Sequence, residues 1–199
     1  SLSEYEVKAM VLGPSSLVSR TLIQVLFDGG FRISELLNIR LRHVAYKQYD
    51  PNLPDSRCFV ARIPFSKTLR RTVTLPMEDS TQLLHQWLRV HPGKPRIEAD
   101  GSISAEQPEL QLFPLDPEPP GTMLRRIGQR AIKKRVYPHL LRHSSATYWC
   151  TKLPYFQFCK RFGWTMTSNM PQRYIDREGI DDLETARIYF RQSNLALQD

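Results

Sequence analysis

At 199 residues, with 41% hydrophobic and 24% charged residues, the chain is long enough for one sizeable domain with a real core and reads as globular. No run approaches the roughly 18 apolar residues of a membrane span, and the opening SLSEYEVKAM, with two acids and no apolar run, is not a signal peptide. The net charge of +8 points to a polyanionic partner, nucleic acid before membrane, while Cys58, Cys150 and Cys159 are too few and scattered for a disulfide framework or a zinc ligand set and fit a reducing, intracellular setting.

Ser3 with Glu6 three residues later forms a capping box, so a short helix should follow and end at Gly13-Pro14. SSLVSRTLIQVLF places Leu17, Thr21, Val25 and Leu22, Leu26 at helical spacing, which predicts a core helix ended by Asp28-Gly29-Gly30. A short helix with Ile33, Leu36 and Leu37 inward comes next. From Arg57 to Leu75 the pattern changes to a β-hairpin with FSKTLRR as its turn. MEDSTQLLHQWLRVH returns to helical periodicity, capped at Asp79 or Ser80. Residues 92–120 are rich in proline and acids and read as a long surface loop or insertion. A helix from Thr122 to Arg135 then carries Arg125, Arg126, Arg130, Lys133, Lys134 and Arg135. Pro138 suits the first position of another helix, and YFQFCKRF and DLETARIYF add two more. The fold class expected is mainly α with a small antiparallel β-hairpin or sheet.

The stretch YPHLLRHSSATYW poses the chemical question, because His139 and His143 are four residues apart and share a helix face. A zincin pair needs a glutamate after its first histidine, but Leu140 stands there, and His43, His85 and His91 are isolated. An anion site fits better. Pro138 marks a helix start, where free N–H groups and the helix dipole favour negative charge, and His139 and Arg142 lie in its first turns. An arginine fork matches a phosphate with two parallel hydrogen bonds.

H-x-x-R-H followed by small residues resembles the second arginine box of the tyrosine recombinases, the phage-integrase family. Other boxes follow the family's order. Gly30-Phe31-Arg32-Ile33-Ser34-Glu35-Leu36 resembles the first arginine box, SKTLRRTVTLP resembles the hairpin with the family's lysine, here Lys67, and RFGWTMTSNMPQRYIDREG resembles the last box, with Gly163-Trp164 and Tyr174. The resemblance covers essentially the whole chain. Trp164 stands where histidine is commoner, Asp176 follows the tyrosine where many relatives have histidine, and the 92–120 segment is longer than the pattern. The wording of the last box looks most like integrases of archaeal viruses and plasmids.

The resemblance implies a tyrosine recombinase catalytic-domain fold over residues 1–199, with the family's N-terminal DNA-clamping domain lying outside this chain. It implies attack by the Tyr174 hydroxyl on a DNA phosphodiester, giving a 3′-phosphotyrosine and a free 5′-hydroxyl, with strand exchange and rejoining that need neither metal nor cofactor. Arg32 and Arg142 would meet the charge on the non-bridging oxygens, Trp164 would donate its indole N–H, and Lys67 would protonate the leaving oxygen. Phenols ionise near pH 10, so a base is needed, and His139 is expected to serve. Glu35 and Ser34 would brace the Arg32 helix, and His143 would support the site by hydrogen bonding. The basic residues from Arg125 to Arg135 would contact phosphates of double-stranded DNA. A monomer that forms a tetramer on DNA, with the tail after Tyr189 docking on a neighbour, is the expected assembly. A type IB topoisomerase and a non-enzymatic DNA-binding module remain as rivals.

Overall fold

The computed structural model describes residues 1–64, 71–114, 118–178 and 182–196. In chain order these form helices α1 (Glu4–Leu12), α2 (Leu17–Gly29) and α3 (Ile33–Asn38), then strands β1 (Val44–Gln48), β2 (Arg57–Ile63) and β3 (Arg71–Leu75). Helix α4 (Glu78–Val90) leads to the short strands β4 (Arg96–Ile97) and β5 (Ile103–Ser104). Helices α5 (Pro120–Ile132), α6 (Pro138–Cys150), α7 (Tyr155–Phe162), α8 (Met170–Glu178) and α9 (Leu183–Ala196) complete the described chain. The mainly α architecture with small antiparallel sheets is the class expected from the sequence.

The centre is α2. Its Leu22, Ile23, Val25 and Leu26 are fully enclosed, and it packs against α1, α4 and α6. Each such aliphatic side chain removed from water contributes roughly 1.5–3 kcal/mol before the entropy of ordering is counted. Ser3 and Glu6 form the predicted capping box on α1.

The predicted hairpin is part of a three-stranded sheet in the order β1-β2-β3, with Tyr46 opposite Phe59 and Phe59 opposite Leu75. The turn predicted between β2 and β3, including Lys67, lies outside the described residues. The expected loop at 92–120 is instead tied down where it is described. Strands β4 and β5 pair with each other, and the Tyr46 N–H donates to the Gly101 carbonyl, covering the outer edge of β1. The His91 imidazole bonds the Gln111 and Leu112 carbonyls, and Leu112 and Phe113 are buried. Proline and acid content marked this segment as loop, but buried apolar side chains and paired backbone groups order it.

Helix α4 begins at Glu78 rather than behind a cap at Asp79 or Ser80. The cap comes from another helix: Asp28, at the end of α2, accepts the Met77 N–H at 3.0 Å and the Ser80 hydroxyl at 2.7 Å. Its other carboxylate oxygen meets Arg161 Nη2 of α7 at 3.1 Å, and Arg161 Nη1 bonds the Thr74 carbonyl of β3. One carboxylate thus joins α2, α4 and α7, and through Arg161 also β3. Burial is the strongest influence on Asp28 and lifts its pKa from 3.8 to about 6, against Arg161, Ser80 and Met77, which all favour the ionised form. The folded state therefore holds this proton more tightly than the unfolded chain. The stability that protonation of Asp28 lends is full below about pH 4 and is lost as pH rises through about 6. Urea unfolding from about pH 7 to about pH 5 should show a gain in stability that Asp28→Asn abolishes; a parent chain whose stability is flat over this window contradicts the assignment.

Candidate active site

The site begins where α2 ends. Gly30 is left-handed at φ 62°, and a Cβ there would lie 2.3 Å from the Phe162 ring, so glycine alone fits this turn. The turn sets Arg32 at the start of α3. Its own N–H donates to Glu35 Oε2 at 3.0 Å, and its Nη1 donates to Glu35 Oε1 at 2.9 Å. The bracing role expected of Glu35 thus has a definite geometry.

Glu35 carries a second partner that the sequence did not single out. Arg71, the first residue of β3, aims a two-pronged fork at the same carboxylate, Nη1 to Oε1 and Nη2 to Oε2, both at 3.0 Å. Its Nε donates to the Arg161 carbonyl. The side chains of Arg71 and Glu35 are only 3% and 4% exposed, so this pair is shielded from water. Burial alone would raise the Glu35 pKa; hydrogen bonds and charge from Arg71, then the N–H and charge of Arg32, overcome it and hold the carboxyl at about 2.

Arg142, in the second turn of α6, is buried as well. Nη1 donates to the Gly30 carbonyl at 2.5 Å and Nη2 to the Phe162 carbonyl at 2.8 Å. Those two bonds fix the guanidinium plane beside the Phe162 and Trp164 rings, 5.3 and 5.6 Å from their centroids. Burial first, then the positive charges of Arg32 and Arg71, lower the pKa of Arg142 to about 9. It stays cationic at neutral pH, in surroundings that an added anion would relieve.

Helix α7 ends in the left-handed Gly163, where a Cβ would meet Arg71 Nη1 at 2.8 Å. The chain then delivers Trp164, whose ring stacks on Phe162 at 5.0 Å and on Tyr174 at 5.7 Å between centroids. Packing accounts for the indole body. Tyr174 sits on α8, a helix the sequence reading left out because SNMPQRYIDREG is polar and carries a proline; Pro171 falls in its first turn, where a missing N–H costs little.

The Tyr174 side chain is buried, and its hydroxyl lies 2.5 Å from His143 Nδ1. His139, one turn earlier on α6, is exposed, and its ring meets His143 edge-on at 4.5 Å. From the sequence His139 is expected to serve as the base for the tyrosine and His143 to support the site by hydrogen bonding. The structure puts His143 on the hydroxyl. Burial raises the pKa of Tyr174, against Arg142, Arg177 and Arg173. Both histidines are held below their ordinary value, His139 by burial and then Arg142 and Arg32, His143 by burial and then His139 and the N-terminal amine.

The basic segment is shorter as a helix than predicted. Helix α5 ends at Ile132, and Lys133 adopts the left-handed cap at φ 57°, so Lys133, Lys134 and Arg135 lie in the following turn. All six basic residues are exposed, but three are engaged within the chain. Arg126 pairs with Glu118, Lys134 with Glu6, and Arg130 Nη1 donates to the Pro14 carbonyl. No helix among the described residues is long and apolar enough to cross a membrane.

Comparison with known proteins bears on the fold and the family. The phage integrase family model matches residues 2–178. Tyrosine recombinase XerD of Pseudomonas aeruginosa is 29% identical over 160 residues, covering 74% of this chain and 47% of that protein, so the chain spans about half the length of this relative. Among solved structures, XerA recombinase superposes with a TM-score of 0.62 at 21% identity, over 96% of this chain and 62% of that one. XerH site-specific recombinase in its post-cleavage complex with palindromic difH substrate superposes with 0.60 at 20% identity, over 94% and 52%. On the match along nearly its whole length, this chain belongs to the phage integrase, or tyrosine recombinase, family.

Proposed function

We propose that this chain is the catalytic part of a site-specific DNA recombinase. Tyr174 attacks a phosphodiester, joins the 3′-phosphate and releases a 5′-hydroxyl; a second strand's 5′-hydroxyl then resolves the link, with no metal or ATP needed for rejoining. The observation that carries this reading is a tyrosyl hydroxyl held within the electrostatic reach of the buried Arg142, next to a cluster in which Arg32 and Arg71 bond the Glu35 carboxylate. Such an excess of fixed positive charge suits a phosphate whose non-bridging oxygens gain charge in the transition state. Arg32 and Arg142 meet those oxygens, His139 bonds the same phosphate from the exposed end of α6, and Trp164 supplies packing and one N–H donor. Lys67 protonates the leaving 5′-oxygen.

Double-stranded DNA is the partner. The DNA-bound state of the XerH relative supports this, as do the exposed basic residues around α5. On α9, Ile188, Tyr189 and Phe190 are exposed apolar side chains, which supports docking on a neighbouring subunit in a DNA-bound tetramer. We place the protein inside the cell, as part of a mobile element. The wording of the last box is the ground for an archaeal virus or plasmid source, whereas the XerD relative is bacterial. Incubation with two differently labelled duplexes tests the reading. Labelled strands that change partners support a recombinase; relaxation of supercoiled plasmid without exchange supports a topoisomerase, and neither activity leaves a DNA-binding module.

A further inference from the structure

Attack on phosphorus by a phenol requires that its proton leave. At an ordinary pKa near 10 only about one tyrosine in a thousand is ionised at neutral pH, and burial makes Tyr174 harder to ionise still. The structure places one basic nitrogen on that hydroxyl. Helices α6 and α8 pack together, and His143 Nδ1 lies 2.5 Å from Tyr174 Oη, with the two rings 5.8 Å apart. His139 touches the far ring, since its own ring lies edge-on against His143.

We propose that His143, rather than His139, is the proton acceptor of the cleavage step; the inference rests on Tyr174 being the nucleophile. As the Oη–phosphorus bond forms, the phenolic O–H bond breaks and its proton passes to Nδ1. The phosphorus–O5′ bond breaks with its electron pair going to O5′, which takes a proton from Lys67. In rejoining, the 5′-hydroxyl attacks, its proton goes back to the Lys67 amine, and the imidazolium returns its proton to the departing phenolate.

The surroundings suit this role. Burial first, then His139, the N-terminal amine, Arg177 on α8 and Arg142 all disfavour an imidazolium. His143 is therefore neutral at physiological pH and able to accept. Burial, and to a lesser degree Cys150, oppose the phenolate that the transfer creates, while Arg142, Arg177 and Arg173 favour it. A bound phosphate adds negative charge beside His143 and steadies the imidazolium just when it forms. General-base help of this kind contributes about 10²–10⁴-fold.

The test measures covalent adduct formation on a pool of nicked duplexes with a randomised central segment, using the chain with Tyr174 and with 2,3-difluorotyrosine at that position. His143→Gln is expected to slow adduct formation about 10²-fold at neutral pH. The defect should shrink as pH rises, and the more acidic fluorinated phenol should recover most of it. His139→Gln should show a loss that the acidity of the phenol does not change. If His143→Gln fails to fold, His143→Asn takes its place in the same comparison. A His143 variant as fast as the parent chain overturns the inference, and so does a defect that is equal at every pH and with either phenol. If the parent chain forms no adduct that depends on Tyr174, the recombinase reading itself falls and takes the inference with it.

Discussion

Glu35→Gln is expected to cost about 3–5 kcal/mol of folding free energy, the range seen when one member of a buried ion pair is removed. Arg71 would keep its charge in a place that water does not reach, facing an amide that can accept only one of its two prongs. Arg32 would lose the same partner at a more exposed position. Small domains have only about 5–15 kcal/mol in total, so urea unfolding should show a large fall in midpoint. The double change Glu35→Leu with Arg71→Met should be closer to the parent than either single change, because it removes both charges together. The pH dependence has a definite sign. The folded pKa of Glu35 is depressed to about 2, so its contribution is present above about pH 4.5 and is lost as pH falls toward 2. A Glu35→Gln chain within about 1 kcal/mol of the parent would contradict the buried pair as an organiser of this site.

Arg142→Lys is the second large expectation. Lysine keeps the charge but is a single point donor, whereas Arg142 spans two carbonyls from different segments, Gly30 after α2 and Phe162 at the end of α7. The exchange should free the Gly30 turn from the Gly163 turn and remove the planar donor from the phosphate. First-turnover cleavage should fall by at least about 10²-fold, comparable with losing one donor to a developing oxyanion. The thermal midpoint should fall as well, since at least one carbonyl would lose its bond. Cleavage retained within about tenfold would show that charge alone suffices and that the fork is unnecessary.

How much of this was legible depends on whether the signal was local. Helix α2 stood out because its apolar residues recur at helical spacing and Gly29-Gly30 ends it, and α6 because Pro138 suits its first position. Strand β1 was missed because VAYKQ is short and half polar, and it is held by pairing with the next strand, β2. Helix α8 was missed because its few buried residues, Pro171 and Tyr174, face an aromatic cluster that only the folded chain assembles. The site residues fall along the same line. Arg32, Glu35, Arg142 and Tyr174 sit in recognisable boxes, and the structure brings them to one place. Arg71 lies within the lysine hairpin, but its burial follows from the register that sets it opposite Ile63, which no local pattern reveals. The exchange of places between His139 and His143 has the same origin. Both lie on one face of α6, and only the packing of α8 decides which meets the tyrosine. Lys67 falls outside the described residues, so its part rests on the family pattern alone.

The central claim is that Tyr174 forms a covalent bond to DNA, and covalent trapping tests it most directly. A nicked duplex bearing a recombination site that the chain binds lets the cleaved 5′ end diffuse away, so the adduct accumulates. The chain and its Tyr174→Phe variant are compared on a denaturing gel, with the linkage point read by mass spectrometry of the digested adduct. A denaturation-resistant protein–DNA band is expected in the parent, linked through residue 174 to a 3′-phosphate, and no band in the variant. A band that survives Tyr174→Phe, or a linkage through any other residue, would contradict it.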